Sequence, residues 1–182
     1  LGKGIWYGIF HAVSAFCNAG FDLMGETGAF SSLTGYVGDP LVNLVICLLI
    51  VVGGLGFLTW HDVAAHGRHV SQYRLQSKLI LLTTLALLVG GFLFFRFYEF
   101  SRPQWAALTG GERAALFQSV SPRTAGFNTV DLTQLSACSQ LMTILLMLAG
   151  GSPGSTAGGF KTTTLAVLLL SVGAVIRRQG SA

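Results

Sequence analysis

FQSVSPRTAGFN, residues 117–128, decides how this chain is read, because FHAVSAFCNAGFD at 10–22 says nearly the same thing. Each copy runs Phe, a polar residue, a small residue and Val-Ser, then reaches Ala-Gly-Phe. The copies lie about 106 residues apart and each precedes a long apolar segment. That pattern marks an internally duplicated membrane protein whose equivalent re-entrant segments meet at a shared axis. The register is imperfect by one position, since Ser14 to Gly20 is one residue longer than Ser121 to Gly126.

Hydrophobic residues make up 52% of the 182 positions and charged residues 10%. Mean hydropathy is +0.65, outside the range of an ordinary soluble domain. The basic residues are dispersed, and no basic face with interleaved aromatics can be drawn, so a nucleic-acid surface is excluded. Cys17, Cys47 and Cys138 are odd in number, sit in or beside apolar stretches and lack ligand spacing; small buried residues are expected. The chain opens at Leu1, without an initiator Met, directly before a half-length apolar segment, and reads as a piece of something longer.

In chain order, Gly4 to Phe16 is about thirteen residues, too short for a bilayer core that needs roughly twenty helical residues. It is expected to enter and turn back, and Asn18-Ala19-Gly20 then supplies non-helical backbone, tolerated at membrane depth only where protein or water covers it. A Gly-, Ser- and Thr-rich loop runs from Asp22 to Asp39, and Pro40 suits the first turn of the next helix. Leu41 to Trp60 is free of charge and long enough to span, with Gly53, Gly54 and Gly56 allowing close helix approach or a bend. Asp62 to Lys78 reads as a polar connection, in which His61, His66 and His69 lack the carboxylate or thiol partners of a metal site. Leu79 to Phe95 is a second span, followed by a polar connection from Phe100 to Glu112. Arg113 to Ser121 is the second half-length helix and Pro122 to Gly126 the second irregular stretch. Ser139 to Ile176 is so long that it should be one helix broken at Ala149 to Phe160, AGGSPGSTAGGF.

Charge sets the orientation. Asp22, Glu26, Asp39, Glu99, Glu112 and Asp131 fall on one side, and the positive-inside bias places Arg68, Arg74, Lys78, Arg177 and Arg178 in the cytoplasm. The Gly-rich break resembles a phosphate-binding loop with one insertion, but continuous aliphatic runs flank it where that motif wants a strand and a soluble helix. A mere linker there would leave unsatisfied backbone in the bilayer core. A functional intramembrane loop is the better reading.

FHAVSAFCNAGF and FQSVSPRTAGFNTVDL, with GDPLVNLVI after the first and AGGSPGSTAGGFKTTT after the second, resemble the pore-forming membrane subunit of the Trk/Ktr/HKT superfamily of potassium transporters, the Ktr branch most of all. The resemblance runs over nearly the whole chain. It implies an all-α integral membrane fold in which four repeats of helix, pore helix with filter loop, and helix surround one pore. This chain resembles the second repeat without its first helix, 1–66, a cytoplasmic connection, 67–78, and a complete third repeat, 79–182; repeats one and four have no counterpart. The implied activity is potassium uptake across the plasma (inner) membrane by a multi-pass subunit, with sodium as a coupling ion in the Ktr branch. The implied partners are the missing repeats, a second copy of the subunit and a cytoplasmic nucleotide-binding regulatory ring. No enzyme, cofactor or resident metal is implied. A non-conducting membrane scaffold or an intramembrane enzyme is the alternative, although the apolar segments offer only Thr, Ser and Asn for chemistry.

By that resemblance Gly20 and Gly126 are filter glycines, with Asn18, Ala19, Phe21 and Thr124, Ala125, Phe127 as neighbours. Glycine suits carbonyls that must be aimed at a dehydrated cation, and the negative ends of the two half-helices favour that cation. Serine at Gly20 or Gly126 is expected to weaken potassium preference while sparing expression. Potassium against sodium is left open, because the discriminating filter position in related plant transporters belongs to the first repeat. Arg123 is expected to pair with carbonyls or a carboxylate, Asp131 being the candidate. The break, Ala157 included, is expected to be a gate lying across the pore just inside the filter: Gly150, Gly151, Gly154, Gly158 and Gly159 with Pro153 cannot hold a helix, the small hydroxyl-bearing Ser152, Ser155 and Thr156 can face water and a passing ion, and Lys161 places a positive charge at its end.

Overall fold

The computed structural model describes residues 2–26, 28, 31–108 and 110–179, with side chains to 177. Seven helices run in the order α1 (Gly2–Phe16), α2 (Pro40–Leu55), α3 (Phe57–His66), α4 (Leu75–Phe94), α5 (Gly111–Val120), α6 (Ala137–Leu148) and α7 (Thr162–Gln179). Short 3-10 turns link them, and no β-strand occurs among the described residues.

Local chemistry accounts for the ends. Asp39 caps α2, its Oδ1 accepting from the amides of Leu41 at 2.9 Å and Val42 at 3.1 Å, with Pro40 at the first turn where no N–H is missed. Ser136 caps α6 through the amide of Ser139. The end of α4 loosens into a π-type turn over Phe95–Glu99, so the continuous apolar helix runs 25 residues from Leu75 to Glu99, long enough to cross a bilayer.

Two expected spans are not straight. Leu41 to Trp60 breaks at Gly56 (φ +86°), where α2 and α3 diverge by 98°. The cause lies elsewhere in the chain: the Gly-rich loop enters the angle, Gly154 O accepts from Phe57 N at 3.0 Å, and a Cβ on Gly56 would stand 2.6 Å from Pro153 O. α3 therefore extends into the stretch read as a polar connection. Asp62 is buried in it, accepting from Ser77 Oγ at 2.6 Å and Arg74 N at 3.2 Å. Ser139 to Ile176 divides as expected into two helices, α6 and α7.

The packing inverts a soluble protein. Leu41, Leu44, Leu48, Leu82, Leu85, Leu93, Ile144 and Leu148 face outward, whereas Ser14, Asn18, Asn43, Ser119, Ser139 and Thr162 are buried. Such a surface fits lipid, in which apolar side chains cost nothing to expose and polar groups must be satisfied internally. One core joins α1, α2 and α5 through Ala15, Ile46, Cys47, Ile50, Phe117, Val120, Ala125 and Phe127. A second joins α4, α5 and α6 through Phe95, Phe100, Trp105, Ala114, Ala115 and Leu146. Small residues set the distances: a Cβ on Gly53 would overlap Phe16 O, and one on Gly91 would lie 2.7 Å from Ser119 Oγ. Of the cysteines only Cys47 is buried; Cys17 and Cys138 are exposed, contrary to the sequence reading.

Candidate functional site

Both half-length helices end where the motif turns irregular. α1 closes at Phe16 and α5 at Val120, and the loops that follow repeat one backbone: φ is positive at Asn18 (51°) and Gly20 (71°), and again at Thr124 (81°) and Gly126 (88°). Asparagine tolerates the left-handed region, but for the β-branched Thr124 it is a strained conformation. The loops meet. Thr124 Oγ1 donates to Asn18 Oδ1 at 3.4 Å, and a Cβ on Gly20 would overlap Ala125 O and lie 3.3 Å from Gly126 Cα.

Phe16 O, Val120 O and Pro122 O are taken by neighbouring donors. Among the described residues, the carbonyls of Cys17, Asn18, Ala19 and Gly20, and those of Arg123, Thr124, Ala125 and Gly126, accept no hydrogen bond. Adjacent carbonyls without donors, next to the negative ends of two helices, offer oxygen atoms of the kind a dehydrated monovalent cation takes as ligands. The two phenylalanines diverge: Phe127 is buried, while Phe21 is exposed beside Trp6, Ile9, Phe10 and Val13.

The Gly-rich segment is an ordered loop pressed against this site. It closes on itself through Gly150 N to Phe160 O (2.9 Å), Gly151 N to Gly158 O (3.0 Å) and Thr162 N to Gly151 O (3.2 Å). It is tied to α2 through Ser152 N to Gly54 O (3.0 Å) and Thr156 N to Gly53 O (3.3 Å). Thr156 Oγ1 lies 2.8 Å from Phe16 O and 3.1 Å from Gly53 O, sharing one proton between them, and accepts from Asn18 Nδ2 at 3.4 Å. Gly159 approaches Thr124 on the other side, since a Cβ there would be 3.6 Å from Thr124 Cγ2. Ser152 is buried on Thr162, and Lys161 Nζ donates to Ala157 O at 2.9 Å. The loop thus touches both irregular stretches at once.

Arg123 does not pair with Asp131. Asp131 is an exposed cap that accepts from Thr133 Oγ1 and N and Gln134 Nε2, and the Thr133 hydroxyl holds its carboxyl below the usual carboxylate range. Arg123 is buried beside Asn18, Val51, Gly54, Thr84 and Gly151, with Nε unpartnered among the described residues. A buried donor without an acceptor costs about 1–3 kcal/mol. Arg123→Met, which keeps the stem, is therefore expected to leave thermal stability unchanged or raised by about 1 kcal/mol; a melting temperature lowered by several degrees would contradict this.

Sequence reasoning missed three polar residues that shape the site. His11 accepts from Leu23 N at Nε2 (3.3 Å) while its Nδ1 meets Tyr7 O (2.7 Å), tying α1 to the chain beyond the first loop. Ser14 and Ser121, legible in the motif only as the serine of Val-Ser, bond to the loops themselves: Ser14 Oγ donates to Phe21 O at 2.8 Å and Ser121 Oγ donates to Phe127 O.

Duplicated half-helices, converging loops with unused carbonyls and an apolar exterior define an α-helical membrane protein. Residues 3–181 match the model of the TrkH cation transport proteins, and the chain belongs to that family. The potassium/sodium uptake protein NtpJ of Enterococcus hirae is 45% identical over 177 residues, covering 96% of this chain and 38% of that protein. The Ktr system potassium uptake protein B of Vibrio alginolyticus is 41% identical over 180 residues, 97% of this chain and 38% of the relative. The chain thus spans less than two-fifths of the length of these relatives. Its fold is also that of the potassium transporter TrkH from Vibrio parahaemolyticus, with a TM-score of 0.69 at 24% identity over 91% of this chain and 34% of that one.

Proposed function

We propose that the chain supplies part of the ion pathway of a potassium uptake protein of the plasma membrane. The observation that carries this reading is the pair of matched loops, Asn18 to Phe21 and Thr124 to Phe127, that touch each other and leave adjacent backbone carbonyls without donors. In this reading they are two filter segments of a larger ring, and further repeats outside this chain complete it. The loop from Gly150 to Lys161 is the gate, held against the filter by Thr156. Residues 67–78 face the cytoplasm, where a nucleotide-binding ring of the kind implied by the Ktr resemblance docks on a homodimer. Sodium enters as a coupling ion, and the chain itself holds no cofactor.

The test uses the complete protein in cells lacking their own potassium uptake. Wild type should restore growth at low potassium and take up rubidium in competition with potassium. Thr156→Val, nearly isosteric, removes the hydroxyl that bridges gate and α1. It is expected to raise unstimulated rubidium flux about fivefold, the factor set by one lost hydrogen bond of about 1 kcal/mol. Normal abundance with wild-type flux would remove the gate from the reading, and no uptake by the wild-type protein would remove the reading itself.

A further inference from the structure

We infer that Ser14 and Ser121 are positioning residues that set the span of each filter loop, an inference resting on the filter reading above. Both are buried in the last turn of a half-helix or just beyond it. Each holds its loop at two points. At the entry, Ser14 O accepts from Ala19 N (2.9 Å), and Ser121 O accepts from Ala125 N (3.1 Å) and Gly126 N (3.0 Å). At the exit, the hydroxyl of each donates to the carbonyl of the phenylalanine that follows the filter glycine.

Two consequences follow. The extra residue in the first copy is absorbed between the clamps, so loops of different length close on the same two atoms of a serine, its backbone carbonyl oxygen and its hydroxyl. The Phe21 and Phe127 carbonyls each spend one lone pair on that hydroxyl, which fixes their direction and makes them the anchors of the loops. The carbonyls left wholly free for coordination are those upstream, Cys17 to Gly20 and Arg123 to Gly126. A hydroxyl is required because the donor must be short, uncharged and carried by a residue already fixed by the helix end.

Ser14→Ala and Ser121→Ala, made singly in the complete protein, should each lower the preference for potassium over sodium in rubidium-uptake competition about fivefold at normal abundance. Ser→Thr, which keeps the hydroxyl, should restore it. Unchanged preference in both alanine variants would overturn the proposal. If alanine depletes the folded protein, the comparison moves to Ser→Cys, close in size but a weak donor, against Ser→Thr. Preference lost with Cys and kept with Thr supports positioning, equal preference overturns it, and loss of folded protein with both Ala and Cys makes the hydroxyl a folding requirement and also overturns it. Gly126→Ala separates the two levels. If it shifts preference while the serine variants do not, the serine proposal alone fails; if it too leaves preference untouched, the filter reading fails.

Discussion

Gly20→Ala should leave little folded protein, whereas Gly126→Ala, the same change at the matched position, should yield normal amounts of protein with altered ion preference. Both glycines hold positive φ, which costs any L residue about 1–2 kcal/mol. Their surroundings differ, so the sequence expectation that a side chain at either glycine is tolerated is kept for Gly126 alone. A methyl group on Gly20 would overlap the Ala125 carbonyl of the opposing loop, and that atom is backbone with no rotamer through which to yield. Overpacking of this kind adds about 1–3 kcal/mol, and relief requires the two loops to part. A methyl group on Gly126 meets nothing within 4 Å, so only the φ cost remains and the new group projects into open space. Fluorescence-detected size exclusion of detergent-solubilised protein gives the abundance, and rubidium uptake competed with sodium gives the preference. Equal abundance of the two variants would mean that the loops do not touch as described.

Glu99→Ala should destabilise the chain by about 3–5 kcal/mol, while Glu99→Gln should cost about 1 kcal/mol. Glu99 is fully buried at the end of α4, yet no basic side chain pairs with it among the described residues. Its Oε1 accepts from Trp105 Nε1 (3.0 Å), Gln104 Nε2 (3.3 Å) and Ser136 N (3.3 Å), and its Oε2 from Ser136 Oγ (2.6 Å) and Ser139 Oγ (2.7 Å). One carboxylate thus ties the end of α4 to the start of α6 and to the connection between α4 and α5. Alanine strands the buried donors of Trp105 and Ser139, whereas glutamine keeps one acceptor oxygen and can turn its amide toward the serine hydroxyls. Thermal unfolding of the solubilised complete protein followed by tryptophan fluorescence distinguishes the variants. A melting temperature for Glu99→Ala within a degree or two of wild type would show that the network is not holding these helices together.

The half-helices, their order and the irregular stretches after them were legible because each is a local matter: apolar length, a glycine where the backbone must leave the helix, and Pro40 behind a capping Asp39. The duplication was legible for the same reason, since two copies of one local conformation need similar residues. Positive φ at Asn18 and Thr124 was not, because neither residue demands it and contact between the loops imposes it. Glycines at 53, 54 and 56 allowed a bend or a close approach, and the tertiary structure uses both. Gly53 admits the Phe16 carbonyl, and Gly56 turns where the Gly-rich loop enters. Charge was the least readable property. Sequence placed Glu99 with the acidic residues of one membrane side and offered Asp131 as the candidate carboxylate for Arg123, since complementarity along the chain is all a sequence offers. The fold buries Glu99 among donors 37 and 40 residues away and leaves Asp131 capping its own turn. Local backbone chemistry fixes where helices begin and stop, but the partner of a buried polar group is whatever atom the packing brings within 3 Å, and that is decided only when the whole chain has closed.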